Sequence, residues 1–209
     1  MKLGRIELPP EPPGPARTLV LLHGFGADER DLLPLARELD PRLRTISLQA
    51  PIELEFGGRA WYRLQQGPDG ISFDPEEVAE AERVAREAIE EIARENPRPI
   101  LCGFSQGAGM ALSAVLGRPD VAAGVLALSA VPPRHAEQSK GLRVFLAHGT
   151  FDPLIPVQAA RVTRDLLQKV GADVTFRQYP MGHMICAEEV ADARAFVQKI
   201  EEGTAQRGS

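Results

Sequence analysis

Five residues, Gly103-Phe104-Ser105-Gln106-Gly107, put a serine between two glycines at the spacing of a nucleophile on a tight strand-to-helix turn. A hydroxyl is a weak nucleophile. It needs a turn that lifts it clear of the backbone, a base to take its proton, and a group that orients the base. The chain has four histidines from which to draw the base. His23 and His148 each precede a glycine at the end of an apolar run, and His135 lies in a proline-rich stretch. His183, in Met181-Gly182-His183-Met184, follows the last apolar run and precedes the final helical pattern, so it is the expected base. His23 is read instead as a structural residue that steadies its own loop. The orienting acid is expected at Asp152, in His148-Gly149-Thr150-Phe151-Asp152-Pro153. Asp120, Asp165 and Asp173 also fall between Ser105 and His183, but they sit at the far end of a helix, within a helix and ahead of a strand. The order Ser105, Asp152, His183 is one in which nucleophile, acid and base occur in α/β enzymes. Developing negative charge on a substrate oxygen needs two N–H donors. The main-chain amides of Gln106 and of Phe25, in His23-Gly24-Phe25-Gly26, are the expected pair.

Elements that hold these residues can be read from the apolar pattern. Thr18–Leu22, Arg44–Leu48, Ile100–Gly103, Gly124–Leu128, Val144–Ala147 and Val174–Tyr179 are expected strands, several of them continuous apolar runs of the kind covered on both faces. Helices are expected from Pro75 to Asn96, Ser105 to Leu116, Pro156 to Val170 and Ala187 to Ile200. The first of these carries Asp74 as N-cap, Pro75 at its first position and Glu77 three residues after the cap. Its apolar stripe is Val78, Ala81, Ala85, Ala88 and Ile92, with Glu82–Arg86 and Glu90–Arg94 as expected i,i+4 pairs. Alternation of strand and helix predicts an α/β fold with a mostly parallel sheet and helices on both faces. One domain over 1–209 is expected, with residues 1–16 as an extended proline-rich lead-in and 201–209 as a flexible tail. Neither glycine-rich stretch completes a dinucleotide-binding GxGxxG pattern.

Composition narrows the function classes. The 209 residues carry a formal net charge of −5 with no basic block, which argues against nucleic-acid and anionic-membrane partners. The two cysteines, Cys102 and Cys186, form no CxxC pair and are expected as reduced thiols. No apolar stretch is long enough to span a bilayer, and the proline run 9–15 cannot serve as a secretory signal. A cytoplasmic protein is therefore expected.

Taken together, Leu21-Leu22-His23-Gly24-Phe25-Gly26, Ala50-Pro51, Gly57-Gly58-Arg59-Ala60-Trp61-Tyr62, the Ser105 pentapeptide, His148 to Pro153 and Gly182-His183 resemble the carboxylesterase/phospholipase group of α/β-hydrolases. That resemblance implies an α/β-hydrolase fold without a cap domain. It also implies hydrolysis of a small-molecule ester or thioester through an acyl-enzyme, without metal or other cofactor; a homodimer is compatible with it. Two positions depart from the family. Ala108 stands where a third glycine is usual, and Met184 follows the histidine where serine is common, which weakens the likeness to the acyl-protein thioesterase subgroup. The expected activity is a serine carboxylesterase on small to medium-chain esters. Acyl-protein thioesterase, lysophospholipase and a non-catalytic ligand-binding protein are the alternatives.

Selectivity is expected in the stretch 51–73, rich in large apolar groups. Ile52, Leu54 and Trp61 are the candidate acyl contacts there, with Leu154, Ile155, Met181 and Met184 closing the other side. Anchoring of Trp61 and Phe56 to the core is the competing reading. Arg59 and Arg63 are candidates to meet an acidic group on a substrate, with plain solvation as the alternative.

Overall fold

The computed structural model describes residues 3–14, 16–67, 70–96 and 98–205. Its centre is a seven-stranded sheet in the order β1-β3-β2-β8-β9-β10-β11. These strands are β1 (Arg5–Leu8), β2 (Thr18–Leu22), β3 (Arg44–Leu48), β8 (Ile100–Phe104), β9 (Gly124–Leu128), β10 (Arg143–Gly149) and β11 (Asp173–Tyr179). Every neighbouring pair is parallel except β1 with β3. Residues 5–8, expected within an extended lead-in, therefore form an antiparallel edge strand. Their alternation is short and half-buried, a weak signal in sequence. Between β3 and the long helix lie two small hairpins, β4 (Ile52–Glu53) with β5 (Arg59–Ala60) and β6 (Gln65–Gly67) with β7 (Gly70–Ser72).

Among the described residues five helices flank the sheet: α1 (Leu33–Leu39), α2 (Pro75–Glu95), α3 (Gln106–Val115), α4 (Val157–Lys169) and α5 (Ala187–Ala205). The continuous apolar strands are divided between two cores by the period of two. Val20, Leu22, Leu101, Val125, Val144 and Leu146 pack with α2, α3 and the end of α4. Leu19, Leu21, Cys102, Leu126, Phe145 and Ala147 pack with α1 and α5 on the other face. The short α1 has no side-chain cap and no acidic first turn, so little in the sequence announces it. α5 runs on to Ala205, so residues 201–205 extend the helix, while 206–209 of the expected tail lie outside the described residues.

α2 starts as its sequence predicts, the Asp74 carboxylate accepting the Glu76 amide at 2.8 Å. Its surface charges pair differently from expectation. Arg83 bridges Glu80 and Glu87, Glu82 accepts from the Ser113 hydroxyl, and Glu90 pairs with Arg118. Glu82 and Glu90 thus tie α2 to α3 and the turn after it. Ala108 is buried within the α2–α3 core.

Candidate active site

β8 delivers the chain to Ser105 and α3 carries it away, with a turn so tight that the serine takes φ 55°, ψ −117°. Non-glycine residues rarely adopt positive φ, and the strain is held by bonds on both sides. The Ser105 amide donates to Leu128 O at 2.9 Å, and Ser105 O accepts from the amides of Ala108, Gly109 and Val131. The flanking glycines are required by space. A Cβ on Gly103 would meet Gly107 O at 2.5 Å, and one on Gly107 would meet Leu22 O at 2.1 Å. α3 can start directly under β2 only because both are bare.

His183 and Asp152 arrive from the loops after β11 and β10, at the same edge of the parallel sheet. His183 Nε2 lies 2.9 Å from Ser105 Oγ, and His183 Nδ1 lies 2.7 Å from Asp152 Oδ2. Asp152 also accepts the amides of Leu154 and Ile155 on Oδ1, each at 2.9 Å. Burial alone would raise its pKa. The Ile155 amide, His183 and the Leu154 amide outweigh that and hold the carboxyl below its ordinary range. An ionised Asp152 fixes the proton of His183 on Nδ1 and leaves Nε2 as acceptor toward the serine.

Sequence reasoning gave no role to His148. It is fully buried, and its Nε2 donates to Ile155 O at 2.8 Å while lying 3.4 Å from Asp152 Oδ2. Its Nδ1 has no partner among the described residues. It therefore braces the turn whose amides hold Asp152. Its position four residues before the aspartate, at the end of β10, was the available signal.

The His23 loop is built on the same logic. His23 is buried, its Nε2 accepts the Ala50 amide at 3.2 Å, and its Nδ1 therefore donates to Gly24 O at 2.8 Å. Burial lowers its pKa, so it is a neutral strut, the role expected from sequence. Gly26 and Ala27 exchange two main-chain bonds of 2.8 Å with Arg59 of β5. Phe25 and Gln106 both border the cavity that contains Ser105. The Gln106 amide opens α3 and has no intrahelical acceptor.

That cavity, about 300 Å³, is walled by Phe25, Tyr62, Leu64, Ile71, Phe73, Val131, Leu154 and Ile155. Of the candidate acyl contacts, Leu154 and Ile155 line this cavity, and Ile52, Leu54, Trp61, Met181 and Met184 do not. Ile52 and Leu54 belong to the β4–β5 hairpin, where Ile52 pairs with Ala60 and the Leu54 amide closes the turn onto Gly58 O. Trp61 is buried, its indole N–H donating to His23 O at 3.0 Å and its amide to Gln106 Oε1 at 2.8 Å. It anchors the loop to the core, which was the competing reading. Met181 packs in the α1–α5 core, and Met184 borders a second cavity behind His183. The Gln106 side chain completes the anchor by donating to Tyr62 O at 2.8 Å. Neither Arg59 nor Arg63 lines the cavity: Arg59 donates to Ala50 O and Pro51 O, and Arg63 pairs with Glu77.

At the third position of α5, Glu189 has no exposure, and no side chain among the described residues hydrogen-bonds its carboxylate, which faces the Cys186 backbone. Burial pushes its pKa up to about 8. Cys102 and Cys186 are free thiols, and burial pushes Cys102 up to about 12. Among the described residues no group of three or more His, Cys, Asp or Glu is placed to hold a metal ion.

The sequence model of the phospholipase/carboxylesterase family matches residues 5–201. The chain belongs to the phospholipase/carboxylesterase family. Within that family it is 31% identical to acyl-protein thioesterase 1 of Mycosarcoma maydis, over 89% of this chain and 92% of the relative. Two solved structures superpose closely on the chain. One is a Bacillus cereus carboxylesterase, with a TM-score of 0.83, 26% identity and coverage of 95% of this chain and 94% of that one. The other is the esterase PE8, with a TM-score of 0.85, 27% identity and coverage of 96% and 100%. No described helix of this family member is long and apolar enough to cross a membrane.

Proposed function

We propose that the chain is a serine carboxylesterase acting on small to medium-chain esters through an acyl-enzyme. The observation that carries the reading is the unbroken line from Ser105 Oγ through His183 to Asp152, at 2.9 and 2.7 Å. Ser105 Oγ attacks the acyl carbon as its proton passes to His183 Nε2, and ionised Asp152 stabilises the resulting imidazolium. The carbonyl oxygen, now anionic, is met by the amides of Phe25 and Gln106. Collapse breaks the bond to the leaving alcohol, which takes the proton from His183. Water then repeats the sequence and frees the acid and Ser105. The apolar cavity of about 300 Å³ receives the acyl chain, and its modest size favours short to medium chains. Free thiols at both cysteines fit a cytoplasmic setting.

A thioesterase reading uses the same residues and is favoured by the 31% identical acyl-protein thioesterase. Hydrolysis of p-nitrophenyl esters of graded chain length, beside a palmitoyl-thioester peptide and a lysophospholipid, separates the two. A fluorophosphonate probe tests the chemistry itself. Stoichiometric labelling at Ser105, abolished in Ser105→Ala, is expected; labelling that survives the substitution, or an unreactive wild type, removes the serine-hydrolase reading and leaves a ligand-binding protein.

A further inference from the structure

His183 and Phe104 form a wall between two cavities. On one side lies the acyl cavity, with Ser105, Phe25 and Gln106. On the other lies a groove of about 360 Å³ that borders His183 but neither Ser105 nor the oxyanion amides. Its floor is apolar, made by Leu32, Leu35, Phe104 and Ile185, and its rim carries Asp31 and Glu38. Both carboxylates are exposed, and neither side chain has a hydrogen bond or ion pair to a described residue. Neighbouring cations are engaged elsewhere. Arg30 pairs with Asp28 and Glu29, Arg37 with Glu11, and Arg194 donates to the Glu38 carbonyl oxygen rather than its carboxylate.

Geometry divides the labour. The acyl carbon must bond Ser105 Oγ with its oxygen at the Phe25 and Gln106 amides, which places the acyl group in the first cavity. The leaving group departs toward the histidine that protonates it, and the groove begins at that histidine. We propose that this groove is the leaving-group subsite and that Asp31 and Glu38 make it select alcohols with an apolar body and a positive charge, and reject anionic ones. An apolar floor that includes the Phe104 ring, beside two carboxylates, is chemistry that receives a quaternary ammonium. In the step concerned, the acyl carbon–oxygen bond breaks, the leaving oxygen takes the proton from His183 Nε2, and the acyl group stays on Ser105. The inference rests on the esterase reading above and deepens it by naming the class of alcohol.

The test holds the acyl group constant. Butyryl esters of choline, of its uncharged carbon isostere and of a hydroxypropionate anion are hydrolysed by the full chain, with acid release followed in a pH-stat. The expected kcat/KM order is cationic over neutral over anionic, with roughly 5- to 10-fold between the extremes at low salt and less at high salt. Asp31→Asn with Glu38→Gln should bring the ratio toward one, and Asp31→Lys with Glu38→Lys should invert it. Equal kcat/KM for all three esters, or a ratio the substitutions do not move, overturns the subsite. Failure to hydrolyse any of them, and p-nitrophenyl butyrate as well, instead removes the esterase reading and the subsite with it.

Discussion

Asp152 is held by more partners than orienting a histidine requires, and the excess falls on His148. The His148 Nε2–H bond to Ile155 O stiffens the turn from which Leu154 and Ile155 donate to Asp152. Replacing His148 with leucine should therefore lower kcat by about tenfold while KM for a small ester changes little, because Asp152 loses its fixed orientation and not its charge. The loss of one buried hydrogen bond is expected to cost about 1–3 kcal/mol of stability. His148→Gln, which keeps a donor near the Nε2 position, should restore part of kcat; equal kcat in the two variants would reduce His148 to packing. At this scale the sequence was most legible where chemistry is tied to chain order. Ser105, Asp152 and His183 each follow the C-terminal end of a strand, directly or by a short loop, a placement that a strand–helix alternation dictates. His148 was hidden because a histidine before glycine at a strand end serves packing as readily as positioning.

Among the elements, the hairpins between β3 and α2 differ most from their sequence. Large apolar residues there divide between two tasks, and hydropathy alone does not separate them. Trp61 turned inward because a buried indole needs an acceptor, and His23 O supplies one at 3.0 Å. Leu64, Ile71 and Phe73, on and beside the β6–β7 hairpin, were left to line the cavity. Ile71→Ala and Phe73→Ala should each lower kcat/KM for p-nitrophenyl octanoate by several-fold more than for the acetate, and Ile52→Ala should leave that ratio unchanged. The β4–β5 hairpin is instead a buttress for the Phe25 loop, bound through Gly26, Ala27 and Arg59. The Gln106 side chain links both structures. Gln106→Ala strands the buried Trp61 amide and Tyr62 carbonyl, a cost of about 2–4 kcal/mol visible as a lower Tm. β1 and α1 escaped sequence reading for a simpler reason: each is too short for its period to show against the background.

Over the whole molecule, stability should depend on pH in two opposite ways. Asp152 has a depressed pKa, so its stabilising contribution is complete above the ordinary carboxylate range and is lost as acid titrates the folded state. Glu189 behaves in reverse. With a folded pKa of about 8 against an ordinary 4.5, it is protonated in the folded state while ionised in the unfolded chain between those values. Stability should fall by up to about 1.4 kcal/mol per pH unit across that window and level off above it. Glu189→Gln should remove that slope, raising Tm more at pH 8.5 than at pH 5; a Tm gain equal at both pH values would mean that Glu189 does not titrate in this range. The mostly parallel sheet and its two-sided core followed from the apolar runs, since only a sheet covered on both faces tolerates them; the strand order did not. The shape of the rim did not follow, because exposed turns obey local hydrogen bonds that composition does not encode. The double grip of Gln106 has a meaning for descent and for engineering. The turn at Ser105 and the segment after β5 share one side chain. Because its partners are the main-chain N–H of Trp61 and O of Tyr62, position 106 is constrained whatever side chains stand at 61 and 62. In the proposed acyl cavity, new chain preferences are accessible through positions 64, 71 and 73, which can vary without reopening that joint.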